Sequence, residues 1–552
     1  YIKTKDPTNQ FEGTSEITLG DYGTQNLGIA FGGPMKNEKL KYRLVLRTDY
    51  ADGFRKNIFL NKSDTSKKDE LTLRYKLNWD LNETTEINFL ISKVDMDDPA
   101  DIWTIDGSLN TLSDRPGMDS QETDSYGIKI TKNFNNFDLQ SFTSVTNTDV
   151  NFSYDADWGN SESHFPYIYD YFSETLRKRD TFSQEIRFLS KNTDFSQKNP
   201  FEWVFGFDFS ELEETNVTKD DGIYGDPSDP YGPYESESVV SRNYEAENLS
   251  LFGNIDYFLS ENYKLAFGLR WENWDSKYND SNQESFNPSD NMNGGKISLI
   301  KNNDNLNIYF SIARGYKQGG FNLGLDATDN SIKDSLIYDP EFLTNYEIGL
   351  SSNNNNSILN YSAVFFFSKR EDQQVLISRQ VDPTDPNTFS YLTQNAAEGE
   401  NYGLEISSNY FVRDNLNLYA NFGLLKTKIK NWESRSDLEN RAQAHAPERN
   451  FSLGANLSFK NNFYLKMDIN GKSSFFYSDS HNNKSKSYKL VNFSLGYTKS
   501  NFSTDIWVRN LFDEYYSNRG FFFGNEAPNF VDTLYRRQGD PKNIGISLRY
   551  DF

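Results

Sequence analysis

Residues 542–552 of the chain read KNIGISLRYDF. From Ile544 onward apolar side chains take every second position (Ile544, Ile546, Leu548, Tyr550, Phe552), and Gly545, Ser547, Arg549 and Asp551 fill the places between. Successive side chains on a strand point to opposite faces, so a period of two makes a ribbon with one greasy face and one small or charged face. A ribbon of about 9–11 residues, tilted, is long enough to cross a hydrocarbon layer about 30 Å thick. Soluble sandwiches and propellers also alternate, so the rest of the chain has to decide between them.

The same pattern recurs along the sequence. In residues 263–271, Tyr263, Leu265, Phe267, Leu269 and Trp271 face one way, and Lys264, Ala266, Gly268 and Arg270 the other. In residues 71–79, Leu71, Leu73, Tyr75, Leu77 and Trp79 alternate with Thr72, Arg74, Lys76 and Asn78; Val491, Phe493, Leu495 and Tyr497 alternate with Asn492, Ser494 and Gly496. Charges sit on the polar face in mid-strand, and no internal period of roughly 40–50 residues appears, which argues against a sandwich or a propeller. Aromatics gather where strands end, as at a lipid interface.

From Phe11 onward about 22 such segments are separated by connections of two sizes. Short polar ones include 80–85, 133–136, 301–305, 352–357, 412–415, 460–462 and 499–501, and long ones 94–126, 154–178, 214–244, 314–345, 370–401 and 432–448. The pattern predicts an all-β fold: a 22-stranded antiparallel transmembrane β-barrel over residues 11–552, with short periplasmic turns and long extracellular loops. A lumen this wide calls for a plug, and the residues before 11 are too few to make one.

Composition agrees. A soluble chain of 552 residues would read as three or four domains, but a barrel escapes that count. Aromatics reach 16% while mean hydropathy is -0.76, as expected when a polar lumen and loops dilute apolar strands. No window approaches the ~18 consecutive apolar residues of a membrane helix. A formal charge of -23 argues against nucleic acid, and the absence of Cys excludes thiol chemistry. The opening Tyr1-Ile2-Lys3-Thr4-Lys5 lacks a signal peptide's apolar core, so the chain is expected to be a mature fragment or a cropped domain.

Groups that could converge for catalysis are not visible. His164, His445 and His481 fall in three different loops, so no shared metal is expected. No G-x-S-x-G elbow occurs, and Gly471-Lys472-Ser473 lacks the upstream Gly of a phosphate loop. The expectation is a protein that binds and is not an enzyme. Residues 221–237 combine acids with Tyr224, Tyr231 and Tyr234, and a loop Ca²⁺ is the only cofactor these oxygens suggest. Loop aromatics able to stack on a flat ligand ring are Trp103, Trp158, Tyr167, Tyr169, Tyr391, Phe521, Phe522 and Phe523. Cations expected to face the vestibule and pair with an anionic ligand are Arg314, Lys317, Arg379, Arg441, Arg519, Arg536 and Arg537, with Tyr316, Asn322 and His445 beside them.

Several passages resemble the barrel of TonB-dependent outer-membrane receptors. Residues 1–7 (YIKTKDP) look like the end of that family's N-terminal plug, so 1–10 is read as its last piece. Residues 31–53 are similar to strand two, the first periplasmic turn and strand three. Residues 313–322 (ARGYKQGGFN) and 339–350 (DPEFLTNYEIGL) resemble the pair flanking the seventh extracellular loop. Residues 401–411 and 445–459 look like later strands, and 508–516 (VRNLFDEYY) with a closing strand ending on Phe552 match the C-terminal signature. The resemblance implies a monomeric receptor in the bacterial outer membrane, among lipid and lipopolysaccharide. It implies import of a scarce metal chelate, most of all a ferric siderophore, driven by a TonB complex acting through a plug and a coupling box (TonB box) upstream of Tyr1. Cobalamin, an oligosaccharide, or passive flow through a porin are the alternatives it leaves open.

Overall fold

The computed structural model describes residues 3–36, 38–191, 200–303, 305–323, 336–352, 358–380, 389–432, 436, 438–479, 481–531 and 533–552. Parts of the expected turns at 301–305 and 352–357, and of the loops at 314–345, 370–401 and 432–448, lie outside them.

Twenty-two strands form the wall. They are β1 (Glu12–Gly20), β2 (Gln25–Pro34), β3 (Leu40–Ala51), β4 (Lys68–Asn82), β5 (Thr85–Pro99), β6 (Met118–Asn133), β7 (Phe137–Asp155) and β8 (Ile168–Ser190). Next come β9 (Phe201–Gly225), β10 (Tyr234–Ser260), β11 (Tyr263–Asp280), β12 (Ser289–Asn302), β13 (Leu306–Lys317), β14 (Glu341–Ser352) and β15 (Leu359–Gln380). The last are β16 (Phe389–Arg413), β17 (Leu416–Lys430), β18 (Arg449–Ser458), β19 (Phe463–Lys472), β20 (Tyr488–Lys499), β21 (Phe502–Arg509) and β22 (Asn543–Asp551). Each pairs antiparallel with its sequence neighbours, and β22 returns to β1 in the register Ile17↔Leu548. The closed 22-stranded antiparallel barrel is therefore as expected.

Closure leaves no free sheet edge in the wall. The seam is held by Gly13 and Phe552, which exchange backbone hydrogen bonds of 2.7 and 2.9 Å. A Cβ on Gly13 would stand 2.2 Å from the Phe552 ring, so the missing side chain is what lets that ring lie across the seam.

Alternation sorts the two faces. Leu251, Leu269, Ile348, Phe365 and Ile506 are all at least half exposed on the outer wall, though each is strongly apolar. Arg43, Glu272, Ser298 and Ser311 point into the lumen and are buried. An outer band of unpartnered apolar side chains is the surface of a barrel that meets lipid. The first described residues run up the lumen side, where Lys76 of β4 donates to the Thr4 carbonyl and to Asp6, each at 2.9 Å.

The long connections come out differently from the sequence reading. The expected loop 214–244 is mostly ladder, since β9 runs to Gly225 and β10 resumes at Tyr234, and 154–178 and 370–401 are shortened in the same way. β8, β9 and β10 have 23, 25 and 27 residues. At ~3.3 Å per residue such strands far overreach a bilayer core. The upper halves of β9 and β10 are mostly polar on both faces, and in β8 Ile168, Tyr169, Tyr171, Phe172 and Leu176 follow no period of two, so apolar alternation could not mark them. Backbone ladders and cross-strand pairs carry them instead, including Thr175 with Thr218 at 3.1 Å and Arg179 to Glu214 at 2.8 Å.

Candidate functional site

The loops opposite the short turns pack onto one another around Trp158. Asp155 ends β7, and its Oδ1 accepts the N–H groups of Asp157 and Trp158 at 3.1 and 3.0 Å. This local cap turns the chain sharply and leaves Trp158 at a φ of 55° and 8% exposed. The indole stacks on Trp103 at 5.7 Å and meets Phe521 at 5.8 Å and Tyr535 at 4.8 Å, edge to face. Tyr169 extends the cluster to His164 at 5.0 Å and Phe530 at 5.2 Å.

Beneath these rings lies a buried polar layer. Asp157 accepts the N–H of Gly159 at 3.0 Å and of Tyr171 at 2.8 Å, and Asn525 donates to its carbonyl at 2.6 Å. The His164 Nε2 is 3.5 Å from the Asp157 carboxylate. Burial first, and then the neighbouring Asp157, push the Asp155 carboxyl up to about 8. A second buried set ties the loop after β3 to the loop after β5: Asn57 and Thr111 both donate to Asp101, at 3.0 and 2.6 Å.

Cations gather on one flank. In the last loop a hairpin pairs Ser517–Phe523 with Thr533–Gln538, setting Arg519 opposite Arg537 and Phe521 opposite Tyr535. Opposed residues of a ladder share a face, so both guanidinium groups project on the side of the aromatic cluster. The Arg537 Nε reaches Asn518 at 3.4 Å, and among the described residues no carboxylate lies within 4 Å of Arg519 or Arg537. Arg55 is buried nearby and donates to the Gln538 carbonyl at 3.0 Å; burial and the charge on Arg537 hold its pKa below the ordinary guanidinium value. Burial, and then Arg519, lower the pKa of His445, which favours its neutral form.

The residues singled out from sequence divide into three groups. Trp103, Trp158 and Phe521 come together as the loop cluster, Tyr224 joins its edge 5.6 Å from Phe530, and Phe522 packs against His481 at 4.7 Å. Tyr167 is half-buried, while Tyr231 stands 84% exposed with its N–H on Asp229.

Others are engaged in the wall or in loop anchoring. Arg441 donates to the His481 carbonyl at 2.8 Å, to Asn482 at 3.1 Å and to the Ser478 carbonyl, and lies 4.2 Å over Phe476. Asn322 exchanges two 2.8 Å hydrogen bonds with the Thr393 backbone. The Tyr316 hydroxyl donates to Glu272 at 2.8 Å. In the acidic segment Asp221 pairs with Arg115, while Asp226 and Asp229 close their own turns on Ser228 and Tyr231. Among the described residues no group of three His, Asp or Glu stands close enough to hold a metal ion.

Arg314 departs from expectation. It shares its face of β13 with Ile308 and Phe310, both exposed on the outer wall, and its guanidinium lies 4.3 Å over Phe342. The strand's alternation turns it away from the vestibule. Lys317 is exposed at the loop rim, Arg379 and Tyr391 sit on paired backbone of β15 and β16, and the side chains of these last two lie outside the described residues. The sequence reading overlooked Arg55, Tyr535, Phe530 and the Asp155–Asp157 pair. The density of aromatic and Asn residues between 515 and 535 was the available signal for the middle two.

Residues 94–511 match the family described as TonB dependent receptor-like, beta-barrel. The ferric yersiniabactin uptake receptor FyuA from Yersinia pestis superposes with a TM-score of 0.79 at 17% identity, over 100% of this chain and 81% of that one. The siderophore receptor PiuA from Acinetobacter baumannii gives 0.75 at 14% identity, over 100% of this chain and 82% of that one. The copper transporter OprC gives 0.76 at 14% identity with the same coverage, 100% and 82%. With the family matched over most of its length and its barrel closed at 22 strands, the chain belongs to the TonB-dependent receptors.

Proposed function

We propose that this barrel imports a ferric siderophore across the bacterial outer membrane, binding it at the loop mouth and passing it inward past a TonB-coupled plug upstream of residue 11. The observation that carries the reading is the cation flank. Arg519 and Arg537 oppose each other on the last-loop hairpin, with Arg55 behind them and the aromatic cluster beside them. Guanidinium groups with no carboxylate within 4 Å among the described residues, next to flat rings, suit an anionic chelate with aromatic or carboxylate donors, because Arg pairs bidentately with carboxylates and stacks on ring faces. Two of the similar structures are named for ferric-siderophore or siderophore uptake, which supports the same cargo class. The chemistry is binding and release, with no bond made or broken.

The test is transport of radiolabelled iron as its siderophore complex into cells that make the full-length protein. Uptake that stops when the proton-motive force is collapsed, and that falls in Arg519→Ala/Arg537→Ala, is the expected result. Uptake indifferent to both would leave a passive pore and sink the proposal.

A further inference from the structure

The turn that carries Trp158 is built on acids with no cation to answer them. Asp155, at the loop end of β7, gives one carboxylate oxygen to the N–H groups of Asp157 and Trp158. Its other oxygen, Oδ2, is buried with no hydrogen-bond partner among the described residues. A bare carboxylate oxygen out of water is costly unless the group keeps a proton. Asp157 beside it spends its own carboxylate on the N–H groups of Gly159 and Tyr171.

The groups facing this pair come from four elements. The loop after β5 brings the Ser113 hydroxyl and Asp114, and the loop after β7 brings His164, whose Nε2 is 3.5 Å from Asp157. β8 brings Tyr169. The last loop brings Asn525, which donates to the Asp157 carbonyl at 2.6 Å, and Tyr535, whose hydroxyl is turned to Glu526 at 3.1 Å. Among the described residues no Lys or Arg stands within 4 Å of Asp155, Asp157 or Asp114. Arg115, next to Asp114 in the chain, is taken by Asp170 at 2.7 Å and Asp221 at 2.6 Å. Three carboxyls crowd one corner, and nothing there neutralises a further negative charge.

The arginine-bearing hairpin rests on this same turn. Trp158 meets Phe521 on one arm and Tyr535 on the other, and Asn525 between the arms bonds to Asp157. We infer that the turn is a proton-operated latch on the cation flank: while Asp155 and Asp157 keep one proton between them it holds the hairpin, and as that proton leaves, the turn opens to water, Trp158 withdraws and Arg519 and Arg537 lose their fixed setting. The flank is a ligand site only under the reading proposed above, and there the latch limits the pH range in which an anionic chelate is held.

Burial, and then Asp157, raise the docked Asp155 pKa to about 8, whereas an open turn exposes a carboxyl near ~3.9. Docking is therefore fully favoured below the open value, weakens by about tenfold per pH unit above it, and levels off past the docked value.

The test is hydrogen exchange of the detergent-solubilised full-length protein with no cargo added. It is read in Ser517–Phe523 and Thr533–Gln538 as protection relative to the unstructured-chain rate at each pH. Hairpin protection is expected to fall about tenfold per pH unit from pH 5 to pH 7.5 and to level off above pH ~8. Asp155→Asn keeps the Oδ1 acceptor and cannot ionise, so it should flatten the profile. Asp157→Asn removes the other acid and should flatten it too, while His164→Gln should leave the slope in place. A flat wild-type profile, an unchanged slope in both Asn variants, or a slope lost in His164→Gln would overturn the latch. Because no chelate is added, failure of the latch leaves the cargo assignment standing, and failure of iron uptake leaves the latch standing.

Discussion

At the scale of single residues, chemical type and role part company. Arg441 and Arg519 are equally good sequence candidates for an anionic ligand, yet the first is spent on three groups of the neighbouring loop and the second is not. Arg441→Ala is expected to release the contact between loops 431–448 and 473–487 at a local cost on the order of 3 kcal/mol. Limited proteolysis should then cut these loops faster while the barrel keeps its heat-resistant mobility on a gel; unchanged cleavage would show the contacts are dispensable.

Asp155 supplies a pH prediction. It sits at the loop end of β7, clear of the apolar band, and its folded pKa is raised to about 8. Above the unfolded value near ~3.9 the unfolded form sheds its proton more readily than the folded one, so the loop cluster loses stability as pH climbs toward that raised value. Hydrogen-exchange protection around Trp158, each amide's rate taken relative to its unstructured-chain rate at the same pH, should be higher at pH 5 than at pH 8.5, and Asp155→Asn should flatten the difference. An exchange profile identical in both proteins would contradict this.

At the scale of elements, glycines and rings are matched across the ladder. Gly349 faces Tyr309, Gly454 faces Tyr419, Gly496 faces Tyr464 and Gly545 faces Trp507, each directly paired in register. In every case a Cβ on the glycine would stand within 2.2 Å of the opposing ring. The ring lies flat over the bare backbone, and the lumen wall stays smooth. Gly496→Val is expected to cost about 1–3 kcal/mol through overpacking, read as a lower urea midpoint for the folded barrel in detergent. A midpoint that does not move would mean that Tyr464 swings away freely.

The membrane part of each strand was legible from sequence because one face is greasy and the other is not; β22 and β11 read in the chain as they stand in the wall. The extramembrane ladders of β8 to β10 were not, since neighbours such as Glu213 and Glu214 are polar on opposite faces, both reached by water. Arg314 marks the same limit. Its type suggested a ligand, and only the alternation it shares with Ile308 and Phe310 on its own strand, with Phe342 under its guanidinium, shows which way it points. The loop cluster depends on contacts such as Trp103 with Phe521, hundreds of residues apart, which no local pattern encodes.

At the scale of the whole molecule, the barrel is a wall with three distinct surfaces. The lumen is polar and holds Thr4 and Asp6 through Lys76, the outer band is apolar, and the loop rim holds a packed aromatic cluster flanked by Arg519 and Arg537, which have no carboxylate partner among the described residues. That last surface carries the central claim, which tryptophan fluorescence of the full-length protein can test. The protein is titrated with ferric and iron-free siderophores of the catecholate, hydroxamate and carboxylate classes; Trp103 and Trp158 report on the site because both pack against Phe521 of the hairpin that carries Arg519 and Arg537. Saturable sub-micromolar quenching by one ferric chelate, weaker without iron and weakened about tenfold or more in Arg519→Ala/Arg537→Ala, is the predicted result. A folded barrel that ignores every siderophore, or binds one equally well without those arginines, would contradict the account.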